Sequence, residues 1–123
     1  MNRTNIKLSQ IVSNFRLQVA CGEKLLDREL TGGYAGDLLS DVMAHSKKGD
    51  IWITLQGHPN IIAIAKLKEL AGIVIINDRK PEEETIKKAK SEGVPIMTSE
   101  MPAFELIGKL YALGISGLRN SRE

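Results

Sequence analysis

Ile73-Val74-Ile75-Ile76-Asn77-Asp78-Arg79-Lys80-Pro81 is the stretch on which the fold turns. Four consecutive β-branched residues leave no polar side to face water, so they read as a strand buried on both faces. The polar run and the proline behind it end that strand and lead into a helix. Upstream, Ile51-Trp52-Ile53-Thr54-Leu55 reads as a second strand, followed by Gln56-Gly57-His58-Pro59 and a strongly apolar helix over Ile61 to Leu70. Downstream, Glu82 to Glu92 is a charged helix, with Glu83–Lys87 and Glu84–Lys88 at i, i+4 and acids gathered in its first turn. Val94 to Met97 is a short third strand. Its Pro95 cannot donate to a ladder and belongs at a strand start or on an edge. Ala103, Leu106, Ile107 and Leu110 line a last helix that stops near Gly114. Pro59, Pro81 and Pro102 recur once per unit, each expected in a first helical turn, where the missing N–H has no intrahelical partner anyway. Strands alternating with helices imply a parallel sheet with right-handed crossovers and helices over both faces. The fold class is therefore α/β: three C-terminal βα units plus a short N-terminal β/α portion.

The first half is less regular. Leu8, Ile11, Val12 and Phe15 are spaced for one face of a short helix. Ile6-Lys7 in front of them is too short to read as a strand. Leu17, Val19 and Cys21 alternate with Gln18, Ala20 and Gly22, the pattern of a half-buried strand ending at a glycine. Leu25 and Leu26 lead into Asp27-Arg28-Glu29-Leu30-Thr31-Gly32-Gly33-Tyr34-Ala35-Gly36-Asp37, which is expected to be a glycine-rich loop beside the Gln56-Gly57-His58 edge. From Gly36 a helix is expected, with Leu38, Leu39, Val42 and Met43 as its apolar face and Asp37 in its first turn. Ser46-Lys47-Lys48-Gly49 is the expected stop.

With 123 residues, 42% of them apolar and 26% charged, the chain is sized and composed for one soluble domain. Aromatics make up only 4%, so the core must be aliphatic. A net charge of +2 gives no reason to expect a nucleic-acid partner. The single cysteine excludes an intramolecular disulfide, and the polar start lacks an apolar leader, so a cytoplasmic location is expected. No apolar run approaches the roughly 20 residues that cross a bilayer, and no membrane partner is expected.

Ligands of open α/β sheets tend to lie beyond the carboxyl ends of the strands. Those ends carry Gln56-Gly57-His58, Asn77-Asp78-Arg79-Lys80 and Thr98-Ser99-Glu100. Solvated turns and caps would be polar in the same way. Thr31-Gly32-Gly33 and Gly36, ahead of a helix, can present backbone N–H groups to an anion. The spacing is not G-x-G-x-x-G, however, and Asp37 would repel a phosphate. The glycines equally suit left-handed turns and close packing. No G-x-x-x-x-G-K-[ST] occurs, so P-loop kinase chemistry is excluded. His45 and His58 belong to no metal-ligand spacing, and no metal or cofactor is expected. Asp27, Asp37 and Asp41 fall short of a calcium ligand set. Cys21 reads as a packed, inert thiol.

Asp27-Arg28, Thr31 and Gly32-Gly33 resemble the DRTGG domain, a family named for those letters in a gapped motif. Gly36-Asp37-Leu38-Leu39-Ser40-Asp41-Val42-Met43 resembles the continuation of its pattern, and Thr54-Leu55-Gln56-Gly57-His58-Pro59-Asn60 fits its sheet-edge segment. The resemblance spans essentially the whole chain. It implies a fold similar to the N-terminal domain of HPr kinase/phosphorylase, without that enzyme's C-terminal kinase domain. In regulated pyrophosphatases, where it accompanies CBS domains, and in some phosphotransacetylases, such a domain looks like a regulatory or dimer-forming module.

The leading expectation is a non-catalytic regulatory module over residues 1–116, with a frayed tail over 117–123. It would form homodimers and bind a small anionic or nucleotide-like ligand through Asp27, Arg28, Thr31, Gly32, Gly33, Gly36, Asp37, Gln56, Gly57 and His58. The alternative is a protein-interaction subunit, partner to a larger metabolic enzyme complex, with no small-molecule ligand. A third reading, a small enzyme using Asp37, His58 or Cys21, requires those groups to converge.

Overall fold

The isoleucine-rich run lies in the middle of a five-stranded sheet in the computed structural model, which describes residues 6–118. The elements in chain order are β1 (Ile6–Lys7), α1 (Leu8–Phe15), β2 (Gln18–Cys21), a 3-10 turn (Glu23–Leu25), β3 (Glu29–Leu30), β4 (Gly32–Ala35), α2 (Leu39–His45), β5 (Asp50–Thr54), α3 (Asn60–Lys68), β6 (Gly72–Ile75), α4 (Glu83–Glu92), β7 (Ile96–Thr98) and α5 (Ala103–Leu113). The sheet order is β2-β7-β6-β5-β4. Strands β4 to β7 are mutually parallel, and β2 closes one edge antiparallel to β7. The expected α/β architecture, with three C-terminal βα units, is the observed one.

Side chains alternate between the two faces of a strand. Here each face has a core to fill. On one face Trp52, Ile73, Ile75 and Ile96 meet Val42 of α2, Ile61, Ile62 and Ala65 of α3, and Ala89 of α4. On the other, Ile51, Ile53, Val74 and Met97 meet Leu8 and Ile11 of α1 and Leu106 and Leu110 of α5. The steps from β4 through β7 each move to the next position in the same direction. Connections of one hand must then lay α2, α3 and α4 on the same face. Of the helices that follow β4 to β7, only the last, after β7, is free to cross to the other side, where it joins α1.

Several local expectations differ from the structure. Gly32 and Gly33 are not in a loop: they belong to β4, which pairs in parallel with β5 through Gly32↔Asp50 and Gly33↔Ile51. A strand with two glycines carries no alternating pattern to read. Ile6-Lys7 does form a strand, because Glu29–Leu30 supplies an antiparallel partner. In α2 only Val42 is fully buried, with Leu39 packed beside it, while Leu38 (69% exposed) and Met43 face out. The helix is short and flanks the β4 edge, so just one turn meets the sheet. Asp37 precedes its N-cap, Leu38, and is not in the first turn. The helix also stops at Ser46 in extended backbone, and Gly49, at φ 85°, makes the later turn into β5. Pro59 and Pro102 occupy N-cap positions and Pro81 lies one residue before the cap, each slightly earlier than the first-turn expectation.

After α5 the chain passes β4 once more. The Gly33 N–H donates to the Ser116 carbonyl at 3.1 Å, and buried Ile115 packs on Gly33. Of the tail expected to fray, Gly117 and Leu118 are described, with Leu118 exposed; residues 119–123 lie outside the described part. No helix among the described residues is long and apolar enough to cross a membrane.

Candidate functional site

The ten candidate residues fall at opposite ends of the parallel strands. Asp27, Arg28 and Thr31 lie at the amino edge, before β4. Gly36, Asp37, Gln56, Gly57 and His58 lie at the carboxyl edge, after β4 and β5. Gly32 and Gly33 belong to the strand between them, which at about 3.3 Å per residue separates the two groups by roughly 13 Å. The expectation that the glycine segment and the Gln56-Gly57-His58 turn lie side by side holds only for its Gly36-Asp37 end, which meets Gln56. The segment begins at one edge and ends at the other.

At the amino edge, Arg28 reaches across two βα units. Its Nη2 donates to the Gly93 carbonyl at 2.9 Å and its Nη1 to the Ala71 carbonyl at 3.5 Å. Gly93 caps α4, and Ala71 follows the end of α3. The Ala71 carbonyl lies past the α3 cap, just ahead of β6, whereas the carboxyl end of α4 at Gly93 carries partial negative charge, so a guanidinium suits it. Lys66 Nζ treats the Glu92 carbonyl in the same way at 3.1 Å. Thr31 Oγ1 donates to the Lys48 carbonyl at 3.0 Å and sits against Gly49, where a side chain would collide with it. Asp27 is almost fully exposed, with Lys7 Nζ 3.9 Å away.

Arg28, Thr31 and Lys66, but not Asp27, border an open cavity of about 870 Å³. Arg28, Lys48 and Lys66 bring positive charge to it; Glu29, Glu69 and Glu92 bring negative charge. Lys48 and Glu69 pair at 3.2 Å with both side chains exposed, an arrangement worth little to stability. The floor is Gly49, Ala71, Gly93 and Val94, the residues that lead into β5, β6 and β7. Sequence reasoning looked beyond the carboxyl ends and missed Lys48, Lys66, Glu69 and Glu92. The available signal was a small residue just ahead of each of three successive strands, which leaves room above the sheet.

At the carboxyl edge the polar groups are partnered with one another. The Asp37 carboxylate accepts from Thr54 Oγ1 at 2.8 Å and from the Leu55 N–H at 2.7 Å, while Gln56 Nε2 donates to the Asp37 carbonyl at 3.0 Å. The Gly57 carbonyl accepts from Thr85 Oγ1 at 2.6 Å and from the Glu82 N–H at 3.1 Å. His58 Nδ1 accepts from the Asn60 N–H at 3.1 Å, which places the proton of a neutral ring on Nε2. The Gly36 carbonyl accepts from Trp52 Nε1 at 2.9 Å. This network ties the ends of β4 and β5 to the start of α4. Its donors, Thr54 Oγ1, the Leu55 N–H, Gln56 Nε2, Thr85 Oγ1 and the Glu82 N–H, are already taken by Asp37 and the Gly57 carbonyl.

Asp37, His58 and Cys21 do not converge. Cys21 is on β2 at one side of the sheet, and Asp37 follows β4 at the other. The Cys21 thiol is buried against the Val94 carbonyl, and burial pushes its pKa up, away from thiolate chemistry. On the surface, Tyr34 donates a hydrogen bond to Asp41, whose other carboxylate oxygen lies 3.2 Å from His45 Nδ1. Among the described residues no group of three or more His, Cys, Asp and Glu side chains is arranged to hold a metal ion.

No family model matches the sequence, and no curated protein matches it either. Among solved structures, the fold is similar to the CBS and DRTGG domains of the regulatory region of Clostridium perfringens pyrophosphatase, complexed with the activator diadenosine tetraphosphate. The TM-score is 0.63 at 16% sequence identity, over 91% of this chain and 47% of that one. The chain thus spans about half the length of that regulatory region, and at this identity the likeness is one of fold.

Proposed function

We propose that this chain is a non-catalytic regulatory module of the DRTGG kind, forming homodimers and binding a small anionic, nucleotide-like ligand at the amino edge of its sheet. The observation that carries the reading is the cavity of about 870 Å³ bordered by Arg28, Thr31, Lys48 and Lys66. Two of these four residues, Arg28 and Thr31, belong to the motif that resembles the DRTGG family. The pyrophosphatase regulatory region with a similar fold takes a nucleotide activator, which makes nucleotides the first class to try. Arg28 is engaged by the Gly93 and Ala71 carbonyls and Thr31 by that of Lys48, so these two shape the cavity. Lys48 and Lys66, on its rim, hold only solvent-exposed contacts, to the Glu69 carboxylate and the Glu92 carbonyl, and can exchange them for a phosphate. The carboxylates opposite them set a limit: a ligand must offer more than bare charge, and an apolar or base-like part would lie over Ala65, Leu70 and Val94. Of the remaining candidates, Asp37, Gln56, Gly57 and His58 hold the far edge together. We place the protein in the cytoplasm, where such ligands are abundant.

Selective binding to the native state raises its melting temperature. A panel of mono-, di- and dinucleoside polyphosphates at millimolar concentration is expected to include one that shifts wild type by several degrees. Lys48→Ala and Lys66→Ala should each reduce that shift while changing the ligand-free melting temperature only slightly, since both lose only exposed contacts. A flat panel overturns the ligand, and a shift indifferent to both substitutions moves the site away from this cavity.

A further inference from the structure

Helix α5 has two apolar faces, and the described residues cover one. Leu106 and Leu110 are buried in the core, with Ala103 and Leu113 packed alongside. A second strip holds Phe104, Gly108, Tyr111 and Ala112 at i, i+4, i+7 and i+8, with Ile107 between it and the core. Phe104 is 90% exposed, Tyr111 68% and Ile107 36%. No charged residue interrupts the strip; Glu105 and Lys109 border it on the far side.

Gly108 is the informative member. A glycine inside a helix costs about 1 kcal/mol relative to alanine. Nothing among the described residues requires it there, because a Cβ built on Gly108 meets none of their atoms within 4 Å. The missing side chain therefore has no use among the described residues of one copy. It would have a use if another backbone approached closely. Gly108 is also the sixth of the eleven residues of α5, its midpoint. When a helix packs antiparallel on its own two-fold mate, the midpoint crosses itself and every residue meets the one equally far on the other side. Phe104 and Ala112 each stand four positions from Gly108, so a large side chain meets a small one on either side of the crossing. Glu105 and Lys109 share a border, and in an antiparallel pair that border faces itself, bringing opposite charges together twice.

We propose that a second copy of this chain covers the strip, with the two α5 helices crossing antiparallel at Gly108. This rests on the homodimer part of the proposed function and names its face. One helix pair covers less than the roughly 800 Å² per partner of a standard interface, so a reversible dimer of micromolar affinity is expected.

Sedimentation across the micromolar range should show wild type passing from monomer to dimer. Gly108→Lys has open space in the monomer and should keep the wild-type circular dichroism spectrum while raising the dimer dissociation constant about tenfold or more, by placing a bulky charge at the crossing. Gly108→Cys tests the geometry directly. With oxidised glutathione as the two-electron oxidant, it should form an interchain disulfide, releasing two glutathione thiols, because symmetric cysteines at the crossing come within bridging distance. Ser91→Cys, exposed on α4, should stay monomeric under the same treatment, as should wild type with its buried Cys21. A monomer at every concentration overturns the proposal, as does a dimer indifferent to Gly108→Lys, or cross-linking no faster at 108 than at 91. A nucleotide shift that survives in a strict monomer would leave the ligand reading standing without this one.

Discussion

Gly57 shows how a residue that looks like part of a ligand loop can be an element of packing. A Cβ at this position would stand 2.9 Å from the Lys80 carbonyl oxygen and 3.2 Å from Pro81 Cα, both backbone atoms that cannot swing aside. Gly57→Ala should therefore lower stability by about 1–3 kcal/mol, read from the urea midpoint. The same lesson applies to Gly36, where the Tyr34 ring lies against the glycine. That placement brings the phenol to Asp41, and the pair has a pH signature. Burial first, and the Asp41 hydrogen bond second, push the Tyr34 pKa from 10.0 up to about 12, and the same bond lowers the Asp41 pKa from 3.8. A raised acid pKa means the neutral phenol is favoured in the folded state. The contribution is complete below pH 10 and lost as pH rises toward about 12; at the acid end it is lost again below 3.8, as Asp41 takes up a proton. The urea midpoints of wild type and Tyr34→Phe should differ at neutral pH and converge at both extremes.

At the scale of elements, the apolar pattern carried most of the information. The buried strands β5 and β6, and helices α3, α4 and α5, were legible because each commits a whole face or a whole run to the core. The β4 strand was not, since glycines leave no pattern and its pairing with β5 is a long-range fact. The site was less legible still. Arg28, Thr31, Asp37 and Gln56 stood out by type, but residue type does not say which end of a strand a side chain occupies. Residues such as Lys66 and Glu92 looked like ordinary helix surface until α3 and α4 were seen to end beside one another. Contacts between elements are also where a specific cost can be assigned. Thr85, fully buried in the first turn of α4, ties that helix to the β5–α3 connection through the Gly57 carbonyl. Thr85→Val keeps the shape and removes the donor. About 1–2 kcal/mol should be lost, visible as a lower urea midpoint at unchanged slope.

For the molecule as a whole, the sheet has helices on both faces and two edges of different character. At the carboxyl edge the ends of β4 and β5 and the start of α4 are tied together by hydrogen bonds. The amino edge is open, and the ends of two helices meet there under a guanidinium. The regulatory reading depends on that asymmetry, since a signal has to enter where the fold has room. The clamp also bears on the order in which the molecule comes together. Arg28 is separated in sequence from its two acceptors by 43 and 65 residues. The Gly93 carbonyl is in position only once α4 has docked and the Ala71 carbonyl only once β6 is in place, so the clamp is expected to form late, after the rate-limiting barrier. An interaction absent from the transition state changes escape from the native state and not arrival in it. Arg28→Met should leave the refolding arm of a stopped-flow chevron where it is. It should speed unfolding by roughly 10- to 30-fold, the equivalent of the ~1.5–2 kcal/mol that such a charged hydrogen bond contributes. The residue that borders the cavity would then also set how long each molecule stays folded.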